Sequence, residues 1–344
     1  MAARRKTPAL IAISMGDPAG IGPEIILKAA ATMARRRGAP SLVVIGDLNV
    51  MRETALRLRR VPAPYAWSSA SEARSLRNGI GVIAAGELPK SARRPGHPTV
   101  AGGEASFQYV VRGARMAMKG EVDALVTAPI SKEGWCRAGH KYPGHSELVA
   151  EIGHVREWRM MFAGDQLKLA LVTVHIGLKQ VSSTLSPRRV LDTIRLIHSH
   201  LRDGAGRGRP RIAVLGFNPH AGEHGLFGDE EIRAIEPAIR AARRSGIDAF
   251  GPLPPDTAFI RSNGRFNFDA AVAMYHDQGL IPLKTLEFDR AVNVTLGLPF
   301  IRTSPDHGTA LDIAGTGRAN PSSMVAAIEY AWGAVDSRRR GRAA

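Results

Sequence analysis

The sequence predicts an α/β protein with a largely parallel sheet, folded as two domains or subdomains. Apolar runs of strand length alternate with helix-like stretches along the chain. Those runs are continuously apolar, as strands buried on both faces are. With 344 residues, 44% of them hydrophobic, the chain can bury more than one small core.

The elements follow in order. "ALIAISMG" (9–16) reads as the first strand and "PEIILKAAATMARRR" (23–37) as the helix after it, with Pro23 suited to the first helical turn. "SLVVIGD" (41–47) precedes the helical "MRETALRLRR" (51–60). "VDALVTAPI" (122–130), "LKLALVTVH" (167–175), "RIAVLGFNPH" (211–220) and "AVAMY" (271–275) are further strand runs. "DEEIRAIEPAIRAARRSG" (229–246) reads as a helix stopped at Gly246. The Pro/Gly-rich stretch 86–103 and the segment 202–210 read as surface loops, and no internal repeat is visible.

The formal charge is +16, from 47 Lys and Arg against 31 Asp and Glu. Clustered cations bind nucleic acid through counterion release. Here the clusters (Arg4–Lys6, Arg35–Arg37, 57–60 and 337–342) occupy tails or follow helices, where cations suit the helix dipole. Aromatic residues are only 6% and do not interleave with them as stacking platforms would. The expectation is no nucleic acid and, as partner, a small anion; a basic nucleic-acid-binding protein is the alternative from another class. No apolar run approaches the ~20 residues that span a membrane. The N-terminal segment reads as a folded βα unit rather than a signal, and the single Cys136 can form no intrachain disulfide, so cytoplasmic residence and no membrane partner are expected.

Three histidines share one address. His175, His220 and His276 each end a strand-like run, at the edge where open α/β sheets build their sites. Neutral imidazoles ligate zinc and related divalent ions, and three leave a position open for substrate. The competing reading is three strand-end histidines bonded to backbone or water. A glycine-rich turn, "GDPAGIGPEI" (16–25), is the other local signal. It is neither a G-x-x-x-x-G-K-[ST] nor a G-x-G-x-x-G motif, and a sharp turn alone would account for its glycines.

Paired with "RTSPDHGTALDIAGTG" (302–317), that turn resembles the β-decarboxylating dehydrogenases, isopropylmalate and isocitrate dehydrogenase. An inserted Pro-Ala after Asp17, and Leu311 where those enzymes carry proline, point to a closer relative. "MGDPAGIGPEI", "VTAPISK", "GHSE", "NPHAGE", "GPLPPDT", "MYHDQG" and "VNVTLGLPFIRTSPDHGTALDIAGTG" together resemble the PdxA family, the 4-hydroxythreonine-4-phosphate dehydrogenases of vitamin B6 biosynthesis. The likeness runs in order from about residue 10 to residue 325.

That resemblance implies two α/β/α subdomains around a cleft. One would span 1–130 plus about 301–344, and the other about 131–300 with the metal and substrate residues and a dimer interface. It implies one divalent metal (zinc, magnesium or cobalt) on His175, His220 and His276, with His276 offered by the neighbouring subunit of a homodimer with shared active sites. Asp277 would orient that site or serve only its turn. Substrate positions would be His145, Ser146, Lys284, Asn293 and Arg302, with Ser146 standing where the family commonly has threonine. Asp256, Asp277 and Lys132 are catalytic candidates, and His307, Gly308, Thr309 and Ala310 would form the NAD or NADP loop.

The implied reaction oxidises the C3 hydroxyl of phosphorylated 4-hydroxythreonine (4-phosphooxy-L-threonine). The resulting 2-amino-3-oxo-4-(phosphooxy)butanoate loses CO2 to give 3-amino-2-oxopropyl phosphate. Within the same family, threonate or erythronate 4-phosphate and a dihydrodiol are alternative substrates. A bound divalent cation lowers water's pKa from ~16 to ~7, equivalent to roughly 12 kcal/mol. A positioned general base contributes about 3–5 kcal/mol. Metal would be the larger lever.

Overall fold

In the computed structural model the described residues are 8–73, 80–204 and 208–341. The chain divides into two α/β units, Met1–Arg156 with Leu298–Asp336, and Glu157–Gly297 with Ser337–Ala344.

The first unit holds β1 (Leu10–Ser14), β2 (Ser41–Gly46), β3 (Pro64–Trp67), β4 (Ile80–Ala84), β5 (Ala124–Thr127) and, from the later segment, β12 (Ile301–Pro305). Their order is β3-β4-β2-β1-β5-β12, each neighbour parallel. Leu10 to Ile13 of β1 have no exposed surface, which is why the run is apolar at every position. The helix Gly22–Met33 carries Pro23 in its first turn, and the helix Val100–Met118 packs over β1, β2 and β5.

The second unit holds β6 (Arg159–Ala163), β7 (Lys168–Leu171), β8 (Arg211–Leu215), β9 (Asp248–Leu253), β10 (Ala270–Ala273) and β11 (Val292–Leu296), in the order β11-β6-β7-β10-β8-β9. Here the sheet is mixed: β6 runs antiparallel to both β7 and β11, while β7, β10, β8 and β9 are parallel. Phe162, Leu169, Leu171, Leu215, Leu280 and Leu283 belong to its core.

The early segment of the first unit runs to Arg156. The helices Lys132–Arg137 and His145–Ile152 pack on the helix Val100–Met118. Gly103 lies so close to Gly134 that a Cβ on it would stand 2.2 Å from the Gly134 carbonyl oxygen. Lys132, His145 and Ser146 therefore belong to the first unit, while Ser337–Ala344 returns to the second. The stretch 86–103 contains a 3₁₀ turn at Lys90–Ala92 and the start of the helix at Val100. Of the loop expected at 202–210, residues 205–207 lie outside the described ones, as does the basic cluster Arg4–Lys6. The helix expected over 229–246 opens as a π turn, Glu231–Ile235, before Glu236–Arg244 becomes α-helical. Pro237 lacks the N–H that would have bonded back to residue 233.

Asp47 joins two parts of the first unit. Its carboxylate, 1% exposed, caps the helix Leu48–Arg57 through Val50 N (2.8 Å) and accepts from Leu88 N (2.8 Å). Asp47→Ala strands both donors, and an expected loss of about 2–4 kcal/mol should appear as a lower urea midpoint at unchanged m.

Candidate active site

In the second unit, spatial order differs from chain order. β10 is inserted between β7 and β8, so three adjacent parallel strands end at one edge. His175 follows β7, His276 follows β10 and His220 follows β8. The rings of His175 and His276 are 5.8 Å apart between centres and tilted by 45°. Two imidazoles on one zinc-like ion, at ~2.1 Å each, place their centres roughly 5–6 Å apart. His276 Nδ1 meets Asp277 Oδ1 at 2.7 Å, and donation of Nδ1–H to that carboxylate leaves the Nε2 lone pair for a ligand. The donor chemistry suits a divalent ion, and within one chain His175 and His276 are side by side. Among the described residues of one chain, no group of three or more His, Cys, Asp or Glu side chains is assembled to hold one.

His220 stands in an unusual segment. Residues His220, Ala221, Gly222, Glu223 and His224 all have positive φ, from 42° to 80°, making one left-handed turn after Pro219. Left-handed backbone costs roughly 1–2 kcal/mol per non-glycine residue, so the four here cost about 4–8 kcal/mol before compensation. Compensation comes from the next helix. Glu231, 2% exposed, accepts from Phe217 N (2.6 Å), Asn218 N (2.8 Å) and Asn218 Nδ2 (2.9 Å). Gln278 bridges the neighbouring strand ends: its Nε2 donates to Gly216 O (2.6 Å), and its Oε1 accepts from Met274 N (2.7 Å).

In the first unit a cation is enclosed. Arg302 lies inside β12, 2% exposed, and donates from Nη2 to Thr127 Oγ1 on β5 (2.6 Å) and from Nη1 to Ser146 Oγ (3.5 Å). Burial pushes its guanidinium down to about 9, still cationic at neutral pH. His145 opens the helix His145–Ile152, and its ring meets the fully buried Trp135 edge-on at 5.5 Å. Its Nε2 is enclosed with no hydrogen-bond partner, although part of the residue reaches the surface. Burial first, then Arg302 and Lys132, push its pKa well below the ordinary 6.5. Two cations beside an enclosed neutral imidazole and two hydroxyls form a set that an anion would satisfy. Lys132 is the exposed first residue of its helix.

The expected cofactor loop touches the glycine-rich turn. Ile21 N donates to Thr309 O (2.9 Å), and a Cβ on Gly20 would stand 3.0 Å from Thr309 Cβ. Gly16, at φ +76°, has no room either, since its Cβ would lie 2.3 Å from Pro129 O. Close packing thus accounts for these glycines. On the outer side, His307 is exposed, Gly308 faces open space and Ala310 is left-handed at φ 42°. That rim fits a cofactor group approaching backbone without meeting a side chain.

The remaining candidates lie in the second unit. Lys284 shares the helix His276–Glu287 with His276, about 12 Å along the axis. Asn293 is half-buried on β11, its Oδ1 enclosed without a partner. Asp256 is exposed in the turn after β9. Sequence reasoning passed over Thr127, Trp135, Glu231 and Gln278. Thr127 and Gln278 sat inside quoted motifs, whereas Glu230 and Glu231 lay within the stretch read only as a helix.

These features define an α/β enzyme with histidines after the carboxyl ends of three adjacent parallel strands and an enclosed arginine in its companion unit. The family model described as "Pyridoxal phosphate biosynthetic protein PdxA" matches residues 39–331. A 4-hydroxythreonine-4-phosphate dehydrogenase of Geobacter metallireducens is 49% identical over 92% of this chain and 93% of its own. A D-threonate 4-phosphate dehydrogenase of Salmonella typhimurium is 45% identical over 93% and 97%. The crystal structure of the Klebsiella pneumoniae 4-hydroxythreonine-4-phosphate dehydrogenase superposes with TM-score 0.84 at 44% identity, covering 95% of this chain and 99% of that one. The chain belongs to the PdxA family.

The enclosed His145 makes stability depend on pH. Its folded pKa lies below the unfolded 6.5, so on acidification the unfolded chain takes up a proton that the folded chain refuses. Stability should therefore fall as pH drops below about 6.5, by up to ~1.4 kcal/mol per unit for such a group. Half-buried His200, pushed down to about 4, adds in the same sense. His145→Gln should flatten the loss between pH 7 and pH 5 by about 1–2 kcal/mol in denaturant titrations; an unchanged slope would show that His145 titrates normally.

Proposed function

We propose that this protein is an NAD(P)-linked dehydrogenase that oxidises 4-phosphooxy-L-threonine at C3, its β-keto acid product then losing CO2. The observation that carries this reading is the enclosed Arg302, held by hydroxyls beside His145, which suits a phosphate or carboxylate. The names of the relatives support the same substrate class. Ser146 offers a second hydroxyl to that anion, and Lys284 and Asn293 of the second unit are the further substrate-binding candidates. Oxidation sends the C3 hydride to the nicotinamide and the hydroxyl proton to a base, for which Lys132, Asp256 and Asp277 are the candidates. The rim of His307, Gly308, Thr309 and Ala310 would receive NAD or NADP. A divalent ion (zinc, magnesium or cobalt) on His175, His220 and His276 would acidify the alcohol and polarise the carbonyl that replaces it.

The ligands are proposed to meet across a homodimer, in the cytoplasm. Leu178 and Ile281, each 66% exposed, and Leu226 at 73% put apolar surface on the segments that carry the three histidines. Threonate 4-phosphate is the second reading, because the Salmonella typhimurium relative of that name is nearly as similar.

NADH formation from NAD+ with each phosphorylated substrate, before and after chelation, tests the assignment. Chelator-sensitive turnover with preference for the amino substrate is expected. Preference for threonate 4-phosphate would move the enzyme to that substrate. His220→Ala should nearly abolish turnover, and metal-independent activity would overturn the histidine site. Mixing inactive His220→Ala with inactive His276→Ala should restore up to roughly a quarter of wild-type activity if sites are shared, through heterodimers with one intact site. No recovery would place all three ligands within one chain.

A further inference from the structure

We propose that Glu231 is a positioning residue that templates the left-handed turn and thereby aims His220 at the metal. The inference rests on the reading of His220 as a ligand, but it concerns a residue with no place in the chemistry itself. Glu231 starts the turn Glu231–Ile235, the element that follows the loop in the chain. One carboxylate oxygen takes both Phe217 N (2.6 Å) and Asn218 N (2.8 Å), the two N–H groups that precede Pro219 and His220. The other takes Asn218 Nδ2 (2.9 Å), which also donates to Glu230 Oε2 (2.7 Å).

The loop is wrapped round this carboxylate. A Cβ on Gly222 would lie 2.6 Å from Glu231 Oε2, and one on Gly216 would lie 3.2 Å from Oε1. Ala221 N returns to Asn218 O (3.1 Å) and Phe227 N to Gly222 O (3.2 Å), closing the turn on itself. Four successive side-chain-bearing or glycine positions beyond His220 share its left-handed backbone, a conformation that the local chain does not prefer. Charge-assisted acceptance at its root holds it. Without Glu231 the segment 217–222 is expected to relax to another backbone, which changes where the His220 ring is presented.

The test is metal affinity, measured apart from turnover. Cobalt(II) is titrated into apo wild type, Glu231→Gln, Asn218→Ala and His220→Ala, with its visible absorption as readout and circular dichroism and thermal melting as fold controls. Glu231→Gln is expected to fold, to bind cobalt(II) about 10–100-fold more weakly, and to show an altered absorption band. Asn218→Ala should weaken binding in the same direction. A merely structural role would lower the melting temperature and leave affinity and band unchanged in the folded protein, which overturns the proposal. If Glu231→Gln does not fold, wild-type affinity in Asn218→Ala overturns it instead. If His220→Ala binds cobalt(II) as wild type does, the ligand assignment of His220 has failed rather than the role of Glu231 in shaping the turn.

Discussion

The parallel ladder that seats β10 between β7 and β8 is the constraint on which the chemistry of the second unit depends. Strands in a sheet are about 4.8 Å apart, so three consecutive strand ends span a distance that side chains can bridge. Gln278 reinforces the arrangement by tying Met274 at the end of β10 to Gly216 at the end of β8. If β10 lay elsewhere, the same histidines would remain at strand ends without being neighbours.

The first unit solves a different problem, the enclosure of a cation. Burying an ion costs several kcal/mol unless hydrogen bonds and opposite charge compensate. Arg302 finds Thr127 and Ser146, and Glu147 favours its charged form. An anionic substrate would complete that compensation, so affinity and stability would draw on the same cation. Around it, tight backbone contacts at Gly16, Gly20 and Gly103 keep loops and helices in register, and the pair Glu24–Lys28 bonds the chain at Gly317 and Ala319.

The left-handed turn at His220 shows local preference yielding to tertiary context. Nothing in "NPHAGEHG" asks for four non-glycine residues at positive φ. A buried carboxylate from the following element imposes them. Strain of this kind persists where surrounding bonds over-determine it, and it is concentrated beside a candidate ligand.

By itself, the sequence determined the α/β class, most of the strands and the family. Continuous apolar runs and ordered motifs are local properties that survive in one dimension. It also gave three histidines a common strand-end address. What it left open was which strand ends are neighbours, because crossover order depends on sheet pairing between residues far apart in the chain. That the first unit's early segment runs on to Arg156 likewise reflects helix packing, including the close contact of Gly103 with Gly134. Glu231 and Gln278 gained their places in three dimensions alone: each looks like an ordinary polar helical residue until the fold brings a strand end against it.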